Sequence, residues 1–199
     1  MSQSLIIVDD FLPNPHKLRD AALRQEYPAH LKLQPYPGRD SRHKQEINGY
    51  DALISDIVGQ RLEPADVNSN ARFRLALDGE KGTESVHIDP VNWTVLLYLT
   101  LPEHCQDGTH LYRHKATNSD HAPYNEQQLF DMGFKSEDDF MTNLLAKDTN
   151  NPDAWEHLMT VPMRFNRLLI MRPQQYHDAG LSFGDKPENG RLIYIKTYY

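Results

Sequence analysis

Residues 71–77 have the sequence ARFRLAL and residues 92–100 the sequence NWTVLLYLT, and these two stretches decide the fold class. In the first, Phe73, Leu75 and Leu77 alternate with two arginines and an alanine, which is the period of a strand with one buried face. The second is apolar almost throughout, as expected of a strand in the middle of a sheet. Both stretches predict a β core.

The flanking sequence predicts further strands and a few helices. Strands are predicted at residues 5–8, 85–89, 109–114, 159–165, 167–172 and 191–198. One helix is predicted from Pro15 to Leu23 after an Asn14 N-cap, and a second over residues 51–62, where apolar residues recur at helical spacing. Residues 27–49 have no period and are predicted to form a loop. Ser136 is predicted to cap a short helix within a polar insertion at about 116–160.

This order of elements predicts a mostly β (α+β) protein in which N-terminal helices pack on one sheet of a two-sheet core. A chain of 199 residues suits a single domain, residues 1–199. The partly helical insertion at about 116–160 is expected to form a lid or a substrate wall, because loops on a rigid β scaffold commonly shape the pocket.

The composition excludes several classes of function. The chain has 21 Lys and Arg against 28 Asp and Glu, a net charge of −7, which argues against nucleic-acid partners and anionic membrane surfaces. The single cysteine, Cys105, excludes an internal disulfide framework and a cysteine-based zinc finger. The N-terminal apolar run is four residues long and ends in two acids, so it resembles neither a signal peptide nor a membrane span. We expect a cytoplasmic protein.

The main candidates for a functional site are His87, Asp89, His177 and Arg191. On a strand, His87 and Asp89 point to the same face, and His177 follows another core strand. Two histidines and one carboxylate leave three positions open on a metal, which suits iron(II) that must bind a chelating co-substrate and dioxygen. Arg191 shares its strand face with apolar residues and should point inward, where a bound dicarboxylate could pair with it.

The order of these residues resembles the iron(II)- and 2-oxoglutarate-dependent oxygenase superfamily, with its His-x-Asp…His triad and downstream basic residue. The segment GTHLY at 108–112 and the opening VDDFLP at 8–13 are also similar to prolyl-hydroxylase-like members. The motif-bearing resemblance covers about residues 71–115 and 165–198. It implies a double-stranded β-helix, or jelly-roll, core. It also implies iron(II) on His87, Asp89 and His177, and 2-oxoglutarate on Arg191, with Tyr112 or Tyr98 assisting.

The resemblance implies a dioxygenase that uses dioxygen and converts 2-oxoglutarate to succinate and carbon dioxide while hydroxylating a C–H bond. Halogenating relatives lack the metal carboxylate, so the presence of Asp89 favours a hydroxylase. The substrate could be a small molecule, an amino acid or a peptide or protein. The tyrosine-rich C-terminal strand could support a homodimer.

Other interpretations stay open at this point. The chain could be a cupin-type metal enzyme that does not use 2-oxoglutarate, or a non-catalytic jelly-roll binding module. The two histidines could be polar residues at strand ends, Asp89 could form a turn before Pro90, and Arg191 could pair with an acid of its own loop. The acids considered for that pairing are Asp185 and Glu188, and the competing cations for the co-substrate are Arg172, Arg113 and an outward-facing Lys196.

Overall fold

The computed structural model describes residues 3–29 and 34–199. The strands are β1 (Leu5–Val8), β2 (Arg39–Asp40), β3 (Arg72–Ala76), β4 (Trp93–Tyr98), β5 (Gly108–His114), β6 (Trp155–Pro162), β7 (Leu168–Met171), β8 (His177–Asp178) and β9 (Arg191–Tyr198). The helices are α1 (Pro15–Leu23), α2 (Tyr50–Val58), α3 (Glu126–Asp131) and α4 (Glu137–Phe140), and α4 continues as a π-helix over Met141–Ala146. Short 3₁₀ turns lie at Pro102–His104 and Pro152–Ala154.

The strands form two antiparallel sheets. The larger has the order β1-β7-β4-β9-β3-β2 and the smaller the order β6-β5-β8. An isolated antiparallel bridge between His87 and His177 adds one more segment at the β8 edge of the smaller sheet. From β3 onward the chain passes repeatedly between the sheets, an arrangement compatible with a jelly-roll-like fold.

The larger sheet is buried on both faces, because the two faces of its strands pack against different layers. One face packs against α1 and α2, and the other against the smaller sheet. The helix side includes Ala22, Ile54, Phe73, Leu97, Leu192 and Tyr194, and the side between the sheets includes Tyr98, Val161, Leu169, Met171, Ile193 and Ile195. The helices therefore lie on one sheet, as the sequence predicted.

The predicted helices form, with two differences in their ends. Helix α1 begins with Pro15 in its first turn, but the Asn14 side chain makes no capping hydrogen bond. Helix α2 ends at Val58 rather than near residue 62, because Gly59 takes the left-handed conformation (φ 74°) that closes helices. The capping of α4 is as predicted, since Ser136 Oγ accepts a hydrogen bond of 3.1 Å from Asp139 N.

The predicted loop at 27–49 contains the two-residue strand β2, and two further local predictions are wrong. Residues 85–89 do not form a full strand and pair only through the isolated bridge at His87. The next residue, Pro90, has no backbone N–H to donate to a neighbouring strand. Lys196 does not face outward: its side chain is 2% exposed, because the α2 side of the sheet is covered. Its Nζ lies 3.1 Å from a Glu46 carboxylate oxygen and 3.0 Å from one of Asp51.

The insertion contributes a small core of its own beside the smaller sheet. Strand β6 begins at Trp155, so the final part of the predicted 116–160 insertion belongs to the sheet and pairs with β5. The helical part buries Leu129, Phe140 and Leu144 against Val86 and Tyr176. These last two residues directly precede His87 and His177, so the insertion packs next to both histidines. Its role as a lid stays a prediction.

In the two described ranges, no helix is both long and apolar enough to cross a membrane.

The core makes a stability prediction. Leu97 is fully buried in β4, whereas Leu53 on α2 is 43% exposed. We expect Leu97→Ala to lower the free energy of unfolding by about 3 kcal/mol, and Leu53→Ala to lower it by less than about 1 kcal/mol. Urea denaturation of both variants measures the difference. Equal losses at the two positions would contradict the assignment of β4 to the core.

Candidate metal centre

The backbone brings His87 and His177 face to face. Their residues exchange two hydrogen bonds, His87 N to His177 O at 2.9 Å and His177 N to His87 O at 3.1 Å. Directly opposed residues of an antiparallel pair project to the same side, so the two rings meet with centroids 4.3 Å apart. Both side chains are more than nine-tenths buried.

Asp89 completes a cluster of three potential ligands. Its Oδ1 lies 3.9 Å from Nε2 of His87, and its Oδ2 lies 3.7 Å from Nε2 of His177. Ligand atoms of all three residues lie within 4.8 Å of one another. Donors bound at about 2.1 Å to one ion are separated by roughly 3 to 4 Å, so the three side chains could hold a metal ion.

Hydrogen bonds fix which ring nitrogen of each histidine carries the proton. Nδ1 of His87 lies 2.8 Å from the carbonyl oxygen of Ser85, and Nδ1 of His177 lies 2.8 Å from that of Gln175. Because a carbonyl oxygen can only accept, each Nδ1 donates. In the neutral imidazoles the lone pair is therefore on Nε2, the atom that faces Asp89, as a metal ligand requires.

The Asp89 carboxylate is held at both oxygens. Thr94 Oγ1 on β4 donates to Oδ2 at 2.7 Å, and the Tyr36 hydroxyl donates to Oδ1 at 3.2 Å. The Tyr36 ring also packs on His87, with centroids 4.2 Å apart. Sequence reasoning missed Tyr36 because it lies in the aperiodic 27–49 segment, where no spacing signals a contact with residues more than fifty positions away.

The charge states of the cluster suit metal binding. Burial lowers the pKa of His87 to about 4, and the neighbouring His177 acts in the same direction. Burial alone would raise the pKa of Asp89, but His177, His87 and the Thr94 hydroxyl together hold it below its ordinary value. At neutral pH His87 is thus neutral and Asp89 is ionised, which are the forms that bind a cation.

Arg191 lies inside the molecule, as its strand parity predicted. Arg191 is 2% exposed, and its buried Nη2 has no hydrogen-bond partner among the described residues. Within the same residues its guanidinium forms no ion pair, so the pairing with Asp185 or Glu188 considered above is not found. Burial lowers the pKa of Arg191, while Tyr98 and Asp178 act in the opposite direction. A buried cation without a partner is costly, so this guanidinium is a candidate to bind an anionic ligand.

The two tyrosines predicted to assist Arg191 lie in different surroundings. Tyr98 is fully buried, interacts electrostatically with Arg191 and shares a 2.7 Å hydrogen bond with Thr109 Oγ1. Tyr112 instead donates its hydroxyl to Asp178 Oδ2 at 2.8 Å. The structure therefore places Tyr98, and not Tyr112, with Arg191.

The competing cations are engaged elsewhere. Arg172 stacks on the Trp93 ring, 3.9 Å from its centroid, and Arg113 lies 3.4 Å from a carboxylate oxygen of Glu156. Lys196 is on the helix-covered face of β9, opposite in parity to Arg191.

Two concave regions differ in their relation to the cluster. A cavity of about 380 Å³ opens beside His87, with walls formed mainly by segments 78–82 and 178–182. A groove of about 710 Å³ runs along α2 and residues 59–64 and shares no residue with the cluster. We assign the smaller cavity to the candidate site, because it includes a cluster residue and the segment that follows His177.

His110 ties the wall of this cavity to β5. Its ring nitrogens lie 2.6 Å from an Asp107 oxygen and 3.1 Å from an Asp178 oxygen, and the same two acids accept from the backbone N–H groups of Leu181 and Gly180. The hydrogen bond to Asp178, with that to Asp107, raises the pKa of His110 to about 9.

The His110 cluster makes a pH prediction. Because its pKa is raised above the ordinary 6.5, the stabilisation is complete below about pH 6.5 and is lost as the pH rises through about 9. We expect His110→Gln to lose about 1 kcal/mol relative to wild type at pH 6, and almost nothing at pH 9.5. Urea denaturation at several pH values measures this. The control is His43→Gln, at an exposed histidine outside this cluster, and a pH-independent deficit in His110→Gln would contradict the prediction.

Fold and site together define a mixed α/β protein with two antiparallel sheets and a His-Asp-His cluster whose two histidines are buried. A family model described as a family of unknown function, DUF6445, matches residues 1–195, and the chain belongs to this family. No curated protein matches the chain.

Solved structures of HygX from Streptomyces hygroscopicus are similar to the chain. The form with nickel, 2-oxoglutarate and hygromycin B bound is 10% identical in sequence, and the match covers 99% of this chain and 83% of the HygX chain with a TM-score of 0.53. The form with iron bound is 12% identical, covers 99% and 82%, and has a TM-score of 0.37, too loose to support an argument. At such identity the first likeness establishes a shared fold alone.

Proposed function

We propose that the chain is an iron(II)- and 2-oxoglutarate-dependent dioxygenase that hydroxylates a C–H bond of its substrate. The observation that carries the proposal is Arg191, a buried guanidinium with no ion pair among the described residues and no hydrogen-bond partner at Nη2, on the side of the larger sheet that faces the His-Asp-His cluster. HygX, which has the same overall fold, was solved with a metal and 2-oxoglutarate bound.

The spacing along β5 supports a dicarboxylate between Arg191 and the metal cluster. Thr109 and Leu111 are two residues apart on β5. Thr109 shares a hydrogen bond with Tyr98, the tyrosine that interacts with Arg191, and Leu111 lies opposite His177 in the β5–β8 pairing. Two residues advance a strand by about 7 Å, which is the scale of a five-carbon dicarboxylate. In the proposal, Arg191 binds the far carboxylate and the Tyr98 hydroxyl donates to it, which leaves the near end for the metal.

The residues proposed to hold iron(II) are His87, Asp89 and His177, the two histidines through Nε2. Their donor set leaves further positions for a chelating co-substrate and dioxygen. Bound iron(II) would supply the oxidative chemistry, in which decarboxylation of 2-oxoglutarate to succinate accompanies hydroxylation. The chain itself keeps His87 neutral and Asp89 ionised, orients Asp89 through Thr94 and Tyr36, and limits the access of bulk water by burying both histidine side chains.

The strand order supports the finer fold assignment in this proposal, a double-stranded β-helix. The four central strands of the larger sheet, β7-β4-β9-β3, face a second layer in which the His87 segment continues the order β6-β5-β8. Each layer thus has four central strand positions, and from β3 onward the chain alternates between the two layers except at β5 and β6, which are consecutive in the second layer. His87, Asp89 and His177 lie at one edge of this second layer.

The substrate is proposed to enter through the 380 Å³ cavity beside His87. Small molecules, amino acids and peptides remain the candidate classes.

Turnover of 2-oxoglutarate tests the proposal. The protein is incubated with iron(II), dioxygen and 2-oxoglutarate labelled at the carboxyl carbon lost as carbon dioxide, and released carbon dioxide and succinate are quantified. We expect equal amounts of the two products, even without substrate if added ascorbate supplies the two electrons that the substrate would give, and none in His177→Ala. Iron bound without 2-oxoglutarate turnover would favour a cupin-type enzyme, and absence of iron binding would favour a binding module.

A further inference from the structure

Tyr36 touches two members of the candidate metal cluster at once. Its hydroxyl donates to Asp89 Oδ1 at 3.2 Å, and its ring packs on His87 with a centroid separation of 4.2 Å and an angle of 35° between planes. Through these contacts a residue of the N-terminal region supports a cluster whose members are His87, Asp89 and His177.

The backbone around Tyr36 is anchored to the segment that leads into His87. Thr83 N donates to Gln34 O at 2.9 Å, and Glu84 N donates to Pro35 O at 2.9 Å. Gly82 packs so closely on Pro35 O that a side chain at this position would clash with it. Residues 34–36 and 82–84 are therefore held together directly upstream of the cluster.

The Tyr36 ring is also fixed from β3. The Arg74 guanidinium lies 5.6 Å from the ring centroid, within the range of a cation–π contact. Arg74 is itself held by Asp40, with oxygen contacts of 2.7 and 3.2 Å to Nε and Nη2. The hydroxyl and the ring are thus both positioned by contacts outside the cluster.

We infer that Tyr36 is a positioning residue of the metal centre, an inference that rests on the proposed function. Thr94 and Tyr36 each hold one oxygen of Asp89, so together they prevent the carboxylate from rotating, and the Tyr36 ring prevents the His87 imidazole from tilting. Removing the hydroxyl frees one carboxylate oxygen. Loss of such an outer partner typically lowers metal affinity about 10- to 100-fold.

Cobalt(II) binding to full-length variants tests this inference. Tyr36→Phe keeps the stacked ring and loses the hydroxyl, and Tyr36→Leu loses both. The matched control is Tyr27→Phe, because Tyr27 is also a partly buried tyrosine whose hydroxyl donates a hydrogen bond, to Ala22 O at 3.0 Å. The Kd and the visible absorption spectrum of bound cobalt(II) are measured for each protein, and thermal melting reports the stability.

We expect wild type and Tyr27→Phe to bind one cobalt(II) with the same Kd and spectrum. Tyr36→Phe should bind at least about tenfold more weakly with an altered spectrum, and Tyr36→Leu more weakly still. Wild-type affinity and spectrum in Tyr36→Phe would overturn the inference while leaving the proposed function intact. Failure of wild type to bind cobalt(II) would overturn both.

Discussion

The variant His177→Ala is expected to lose metal binding almost completely, with an increase in Kd of at least about 100-fold. His177 offers Nε2 to the cluster, and its Nδ1 is held by the Gln175 carbonyl, so the ring is oriented before any ion binds. Alanine removes one of three donors and leaves the backbone bridge to His87 able to form. The account therefore predicts loss of the ion with retention of the fold.

Binding of iron(II) under anaerobic conditions measures this effect, and circular dichroism checks the fold. The control is His104→Ala, in the 3₁₀ turn that follows β4, outside the cluster. It should bind iron(II) like wild type. Wild-type affinity in folded His177→Ala would contradict the assignment of the cluster as the metal centre.

The variant Arg191→Gln is expected to lower the affinity for 2-oxoglutarate about 10- to 150-fold while leaving the metal Kd unchanged. Hydrogen bonds to a charged group contribute about 1.5–3 kcal/mol, which gives this range. Arg191 has no ion-pair partner among the described residues, so the ligand is its expected counter-charge. Glutamine keeps a hydrogen-bonding side chain but cannot supply the charge.

The control for Arg191→Gln is Arg172→Gln, because Arg172 is the competing cation that lies on Trp93. Isothermal titration with 2-oxoglutarate in the presence of nickel(II) measures both variants without turnover. An unchanged 2-oxoglutarate Kd in Arg191→Gln, or an equal loss in Arg172→Gln, would contradict the assigned role of Arg191.

Strand periodicity was sufficient to predict most of the strands of the core and the inward direction of Arg191. The predicted strands at 5–8 and 191–198 agree with β1 and β9, and the parity of β9 correctly placed Arg191 among apolar residues. Local alternation carries this information because it records which face of a strand is buried. His87 and Asp89 do meet in the cluster, although the strand at 85–89 from which their pairing was predicted does not form.

Contacts between distant segments could not be predicted in this way. Lys196 points to the opposite face of β9 from Arg191, and this face would be exposed if only one side of the sheet were covered. In the structure that face is covered on the α2 side, where Glu46 and Asp51 pair with the Lys196 ammonium group. Tyr36 lies in a segment without period, and only the pairing of residues 34–36 with 82–84 brings it to the cluster. Burial by a second layer is a tertiary property that a local pattern does not record.

The central claim is most directly tested by anaerobic titration of the metal-free protein, first with iron(II) and then with 2-oxoglutarate. The account predicts one iron per chain and, on adding 2-oxoglutarate, a weak visible charge-transfer band that saturates at one equivalent. The band should be absent in His177→Ala and should require at least about tenfold more 2-oxoglutarate in Arg191→Gln. Tight iron binding with no band at any 2-oxoglutarate concentration, or no iron binding by the folded protein, would contradict it.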